Sequence, residues 1–262
     1  MTHSWSRMLT SVLFLAVTAS GIVPPRRATA DEHPPAQLRW REGDLAGLTW
    51  IVSPDGRKVI GVVELHQYFE KDVLRIRRVA RFFDGSSDED QLEVRSGKTL
   101  ETIGGRMIIR DTKARPTVDL TIDIAGDRIH GFSGLGKERE EYDEKVELSS
   151  ATYWGPLVFV LVKSFEQNAS ENRLVFQTVV ATPKPRVLDM ELLRQDKAQI
   201  RLRGTTIPAT KYVLRPTINP VIDPIVRMFA PDTFFFVQDG KPPSWVRFEG
   251  PRNYAGQKIR IE

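Results

Sequence analysis

The residues best suited to chemistry in this chain do not fall at the spacings that known reaction centres need. Past the N-terminal segment the histidines are His33, His66 and His130, and there is no cysteine. No two of these histidines stand at the short spacings that place paired imidazoles on one metal, so a zinc site would need ligands gathered from distant elements. Asp84, Ser86, Asp88 and Asp90 repeat at every second residue, loosely like the start of a calcium loop. However, Glu89 takes the sixth position, where a glycine must turn the chain, and Arg95 takes the twelfth, where a bidentate glutamate is required. The stretch reads as a solvated hairpin turn. Gly131-Phe132-Ser133-Gly134-Leu135 approaches a nucleophile elbow, but Leu135 replaces its last glycine and no strand-turn-helix pattern surrounds it. It reads as a turn. Carboxylates are numerous, but sequence cannot bring two of them to the roughly 5–10 Å that glycoside chemistry needs. No catalytic residue, metal ligand or cofactor is expected, and a hydrolase with an unrecognised site ranks third among functional readings.

The elements that would position any site are strands. Val118, Leu120, Ile122 and Ile124 alternate with Thr117, Asp119, Thr121 and Asp123, the pattern of a strand with one face buried. In Val73 to Phe83, Leu74, Ile76, Ala80 and Phe82 share a face that Arg78 interrupts, while Arg75, Arg77 and Arg81 share the other. Further strands are predicted over 58–69, 106–110, 128–132, 137–148, 173–181, 187–193, 199–203, 211–215, 234–238, 245–249 and 258–261. Turn signals separate them, among them Pro54-Asp55-Gly56, Asp84-Gly85, Gly104-Gly105 and Asp239-Gly240. Phe234-Phe235-Phe236 cannot share one face of a strand, so both faces there should be covered. The charged run Lys137 to Lys145 suits an edge strand protected against pairing with other chains.

Residues 154–168 break the pattern. Gly155-Pro156 suits a first helical turn, and Leu157, Leu161 and Phe165 recur at i, i+4, i+8 beside Trp154, Val158 and Val162. Val158, Val160 and Val162 fit a strand as well. Pro220 and Pro224 limit a second helix to a short one over 224–229. The expected fold is mainly β: an antiparallel curled sheet or half-open barrel, as one domain over 47–262, with one buried helix filling its concave face.

The N-terminus reads as a signal peptide over 1–30. Arg7 precedes an apolar run from Leu9 to Val23, shorter than the roughly 18 residues of a spanning helix, and Ala28-Thr29-Ala30 has the small-x-small form of a cleavage site. Residues 31–46, with Pro34-Pro35, read as a flexible leader. The whole chain has 38 basic and 34 acidic residues. Removing Arg7, Arg26 and Arg27 with the signal leaves 35 against 34, a net charge of +1. The apparent basicity therefore gives no support for nucleic-acid binding. The mature product is expected in the periplasm or outside the cell, without a transmembrane segment.

Phe82 to Asp90, then Ala181-Thr182-Pro183-Lys184-Pro185-Arg186, then Phe248-Glu249-Gly250-Pro251 resemble a family of exported bacterial proteins with no assigned activity. The resemblance covers most of 47–262 and implies a location but no chemistry. In architecture, a curled sheet plugged by a helix is similar to the periplasmic lipoprotein carriers, which hold acyl chains on the concave face. The leading expectation is a module that holds an apolar or lipid-like ligand on Leu120, Ile122, Trp154, Leu157, Leu161, Phe165 and Phe176. The rival is an envelope protein that contacts another protein and has a filled core.

Overall fold

The computed structural model describes residues 33–40, 42–181, 184–217, 232–252 and 256–262. The signal-like segment and the short helix expected over 224–229 lie outside them. No helix among the described residues is long and apolar enough to cross a membrane.

The chain forms one 15-stranded antiparallel sheet. Its strands are β1 (Ala36–Gln37), β2 (Leu45–Val52), β3 (Val59–Glu70), β4 (Val73–Phe82), β5 (Ser87–Ser96), β6 (Thr99–Arg110), β7 (Pro116–Asp123), β8 (Arg128–Ser133) and β9 (Glu140–Lys145). After the helical segments α1 (Leu157–Lys163) and α2 (Phe165–Asn168) come β10 (Arg173–Val180), β11 (Arg186–Leu202), β12 (Thr205–Pro216), β13 (Thr233–Gln238), β14 (Ser244–Pro251) and β15 (Lys258–Ile261). The spatial order is β10 to β15, then β2 to β9, with β1 paired to β6. β15 therefore joins the two halves in mid-sheet, through Ile261 opposite Ile51 and reciprocal backbone bonds between Glu262 and Trp50.

This order explains why the helix lies inside. The chain leaves the sheet at one edge, β9, and re-enters at the other, β10. The helical segment must cross from edge to edge, and it does so over the concave face. The ladder does not close into a barrel. Along the seam Thr152 makes a parallel bridge to Gln177 on β10, and Lys184 pairs with Glu144 of β9 at 2.8 Å. β9 is the charged edge that its sequence predicts.

The main core draws Leu74, Ile76, Leu92, Val94, Leu120, Ile122 and Ile129 from one half and Phe176, Val179, Leu192, Tyr212 and Phe235 from the other. Both halves close on Leu157, Val158, Leu161, Val162 and Phe165. A helix this short and valine-rich is marginal in isolation. Its support is burial, about 1.5–3 kcal/mol for each large side chain as an upper estimate. Its first turn is tightened, with Leu157, Val158 and Phe159 N–H donating to the carbonyls of Trp154, Gly155 and Pro156. Ser164 interrupts it, so the predicted span 154–168 is two shorter helices.

Several expectations need correction. Gly104-Gly105 is no turn but the interior of β6. A Cβ on Gly105 would lie 2.3 Å from the Gln91 carbonyl and 2.9 Å from Cζ2 of Trp154, so the glycine makes room for that indole. The strands predicted over 187–193 and 199–203 are one long strand, β11, which ends at Leu202 and is kinked by an irregularity between Arg194 and Lys197. Of the stretch Gly131 to Leu135, the first three residues end strand β8, in line with the strand predicted over 128–132, and the bend comes only at Gly134 and Leu135, with Gly134 at φ +90°. Part of the supposed leader is docked: Ala36 is buried beside β6, and its N–H donates to the Tyr153 hydroxyl at 2.8 Å. Phe235 packs in the main core while Phe236 joins a second cluster with Ile200 and Val246, so both faces of β13 are covered as expected.

Candidate functional site

The acidic stretch divides in two. Asp84 accepts from the Ser86 N–H and hydroxyl and closes the turn between β4 and β5, as a hairpin reading requires. Asp88 and Asp90 are not solvated. They sit on β5 with the inward parity of Leu92 and Val94, at 6% and 3% exposure. The solvated reading therefore fails for the second half of the stretch, because strand alternation continues the core face through it.

Arg78, the residue that interrupts the apolar face of β4, stands directly opposite Asp90 in the ladder. Its Nε and Nη2 donate to Asp90 Oδ2 at 2.7 and 2.5 Å. Ala80 stands opposite Asp88, which takes its cation from the far half of the sheet. Arg252, just past β14, donates from Nε and Nη2 to the two Asp88 oxygens at 2.9 and 2.7 Å and from Nη1 to Ser86 Oγ at 2.7 Å. The same guanidinium lies 3.7 Å from the centre of the Phe82 ring. Forked geometry and ring stacking together favour arginine over lysine here. Burial pushes the Asp90 carboxyl above the ordinary aspartate range against the pull of Arg78. Glu89 turns outward to Arg77 at 2.8 Å and Arg110 at 3.4 Å.

Gly155 opens the helical segment directly over this pair. Its φ is +53°, and a Cβ there would lie 2.8 Å from Asp90 Oδ2. Glycine thus satisfies both the left-handed backbone and the closeness of the carboxylate.

The paired charges form one end of a cavity of about 250 Å³ between α1 and the sheet. Its walls are otherwise largely apolar, with Val158 and Phe159 from α1 and Met190, Leu214, Phe235 and Phe248 from the second half. Phe159 packs edge-on against Phe235 and Trp245, with ring centres 5.2 and 5.3 Å apart. Trp154 lines the cavity at 2% exposure, and its Nε1 has no hydrogen-bond partner. A larger groove of about 760 Å³ crosses the outer face over Gly104. It is an open surface whose guanidiniums are engaged, Arg75 with Glu70 and Glu93 and Arg106 with Asp119.

The residues expected to hold a ligand separate in the structure. Leu120, Leu157, Leu161, Phe165 and Phe176 are packed in the main core, each at 2% exposure or less. Ile122 is equally buried and borders the outer groove. Trp154 is the one that lines the inner cavity. Asp88, Asp90 and Arg252 were missed. Their signal was the inward parity of two acids continuing from Leu92, matched by the inward Arg78. Ser133, the would-be nucleophile, is buried and donates to the Tyr142 hydroxyl at 3.2 Å, with no imidazole in that interaction. Among the described residues no cluster of metal-binding side chains occurs.

Compared with family models, with curated proteins and with solved structures, the chain matches none.

Proposed function

We propose that this protein is a binding module for a small apolar or lipid-like ligand, held between the helix and the concave face of the sheet. One observation carries the reading: a cavity of about 250 Å³ with apolar walls and a compact, internally paired polar end. Ligand sites commonly run from roughly 300 to 1,000 Å³, and an apolar cavity of about 150 Å³ can already take up benzene. The space therefore suits an occupant larger than one ring and smaller than a drug-sized molecule. The signal-like pattern of residues 1–30 supports a periplasmic or secreted setting for this role.

Titration with N-phenyl-1-naphthylamine, a dye that brightens in apolar surroundings, tests the proposal. Saturable uptake at one dye per chain is expected. Val179 lines the cavity and is 2% exposed. Val179→Phe should fill the space and abolish uptake while keeping the far-ultraviolet circular dichroism of the parent. No saturable uptake, or equal uptake by the folded variant, would sink the reading. The interaction-protein alternative would then stand, since most of the concave face is already occupied by the helix.

A further inference from the structure

We infer that β2 carries a docking site for an extended, uncharged peptide segment of a partner protein, which adds as a strand beside residues 45–49 in line with β15. None of these five residues lines the inner cavity, so the site is independent of the ligand reading. Three observations converge on it.

The first is an open stretch of backbone. β2 pairs with β3 along its whole length, from Leu45 opposite Gln67 to Val52 opposite Val59. On its other side β15 accompanies it only at Val52 and Ile51, and the contact ends at the reciprocal bonds between Trp50 and Glu262. An antiparallel ladder sends both backbone groups of alternate residues to the same neighbour. Trp50 turns its N–H and C=O to the β15 side, so Leu48 and Ala46 do the same. Among the described residues no strand meets them there. They offer two donors and two acceptors already set in ladder geometry.

The second is the composition of this edge. Exposed strand edges commonly carry charge or proline, which block pairing with other chains. β9 follows that rule, with the sequence Glu-Glu-Tyr-Asp-Glu-Lys. β2 reads Leu-Ala-Gly-Leu-Thr-Trp-Ile-Val and has neither. Leu48 is 62% exposed and Trp50 38%. Strand parity puts them on one face, where they would meet apolar side chains of an added strand. Gly47 leaves space on the other face. Its φ lies outside the left-handed region, and a Cβ there would meet nothing within 4 Å, so no contact inside the chain requires a glycine. A large side chain of an incoming strand can sit across from it.

The third is the width of the opening. β14 lies on the far side of β15, two places from β2 in the sheet. Two strand spacings come to about 10 Å, which one strand fills. β14 also begins at Ser244, whereas its pairing with β15 covers only Phe248 to Pro251. A second copy of this chain would bring β3 along with its own β2 and needs a wider opening. The occupant is therefore a single extended segment. In strand addition the backbone bonds supply affinity and the alternate side chains supply selection. An uncharged segment with apolar residues at alternate positions matches this edge.

Amide hydrogen exchange on the 15N-labelled full chain tests this, with an acetylated and amidated hexapeptide of alternating threonine and valine as the probe. In the free protein the Ala46 and Leu48 amides should exchange fast, and those of Gly47 and Thr49, which face β3, slowly. Saturating peptide should slow Ala46 and Leu48. The same peptide N-methylated at every residue keeps its side chains, loses its donors and should not bind, a readout that needs no protein variant. A peptide with glutamate in place of valine should bind more weakly. An edge position whose N–H faces outward tolerates proline, so Leu48→Pro should fold and bind about 2–10-fold more weakly, the range of one net hydrogen bond. Phe83→Ser, at an exposed ring outside β2, should bind as the parent does. Ala46 and Leu48 amides as slow as their neighbours in the free protein would show the edge to be covered and overturn the inference. So would absence of peptide binding, undiminished binding of the N-methylated peptide, or undiminished binding by folded Leu48→Pro. Equal binding of the glutamate peptide would overturn the assignment of an uncharged partner.

Discussion

Replacing Arg78 by methionine removes the cation that faces Asp90 and keeps most of the side-chain volume. Asp90 is 3% exposed and lies beneath Gly155, where a Cβ would fall 2.8 Å from its Oδ2. Breaking a buried pair from one side commonly costs about 3–5 kcal/mol, because the remaining charge is left uncompensated. Replacing both partners by apolar residues is commonly neutral, or stabilising by about 1–4 kcal/mol. The expectation is therefore a large loss for R78M and recovery in R78M/D90L to within about 1 kcal/mol of the parent or above it. The denaturant slope for small proteins in urea is about 1–3 kcal/mol per molar and rises with size. At a slope of about 3, the R78M unfolding midpoint should fall by roughly 1–2 M. The assay is urea unfolding followed by both circular dichroism and tryptophan fluorescence, whose coincidence tests the two-state assumption. The sign of the pH effect is also set. Burial already raises the Asp90 pKa, and removing Arg78 raises it further, so at low pH the acid is neutral and the deficit of R78M should shrink. A loss below about 1 kcal/mol at pH 8 would mean that water reaches Asp90 and the pair is not buried in any energetic sense. A double variant as unstable as R78M would mean that the two charges are not coupled.

Other outcomes follow from the same coordinates. Stability should hold from pH 7 to about pH 5 and decline below about pH 4, through carboxylates whose folded pKa is depressed. Asp84 is held low by hydrogen bonds from Ser86, and Asp111 by Arg115. Glu89 resists its own burial through Gln91, Arg77 and Arg110. Their contribution is present above the unfolded pKa and is lost as pH falls through the folded value. Asp90 works in the opposite sense, losing stability as pH rises through its raised value, and so offsets part of the acid loss. Urea midpoints across this pH range check the balance. Leu161→Ala, at a position with 0% exposure on the inner helix, should cost about 2–5 kcal/mol in the same unfolding assay. Gly105→Ala should displace the Trp154 ring, read as a shift in tryptophan emission, since its Cβ would lie 2.9 Å from Cζ2.

Much of the fold was legible because strand alternation is local. Leu120 and Ile122 faced the core as their period-two spacing demanded, and the charges of Glu140 to Lys145 lay on the edge strand β9. The helix at 157–163 was legible from its i, i+4 apolar stripe and from Gly155-Pro156, although its valines fit a strand equally well. Gly104-Gly105 misled because a glycine pair marks a turn by default. Only the incoming indole shows why it belongs in a strand.

The amino-acid order alone determined a mainly antiparallel β chain without cysteine, with one apolar segment breaking the alternation. These follow from side-chain periodicity and turn chemistry, which act between near neighbours. The tertiary structure decided the rest. Arg252 reaches Asp88 across a separation of 164 residues because β15 joins β2 and folds the last strands against the first. Whether an inward acid is exposed, paired or stranded depends on that long-range closure. No local pattern records it, because the energy of a buried charge is set by what surrounds it in space.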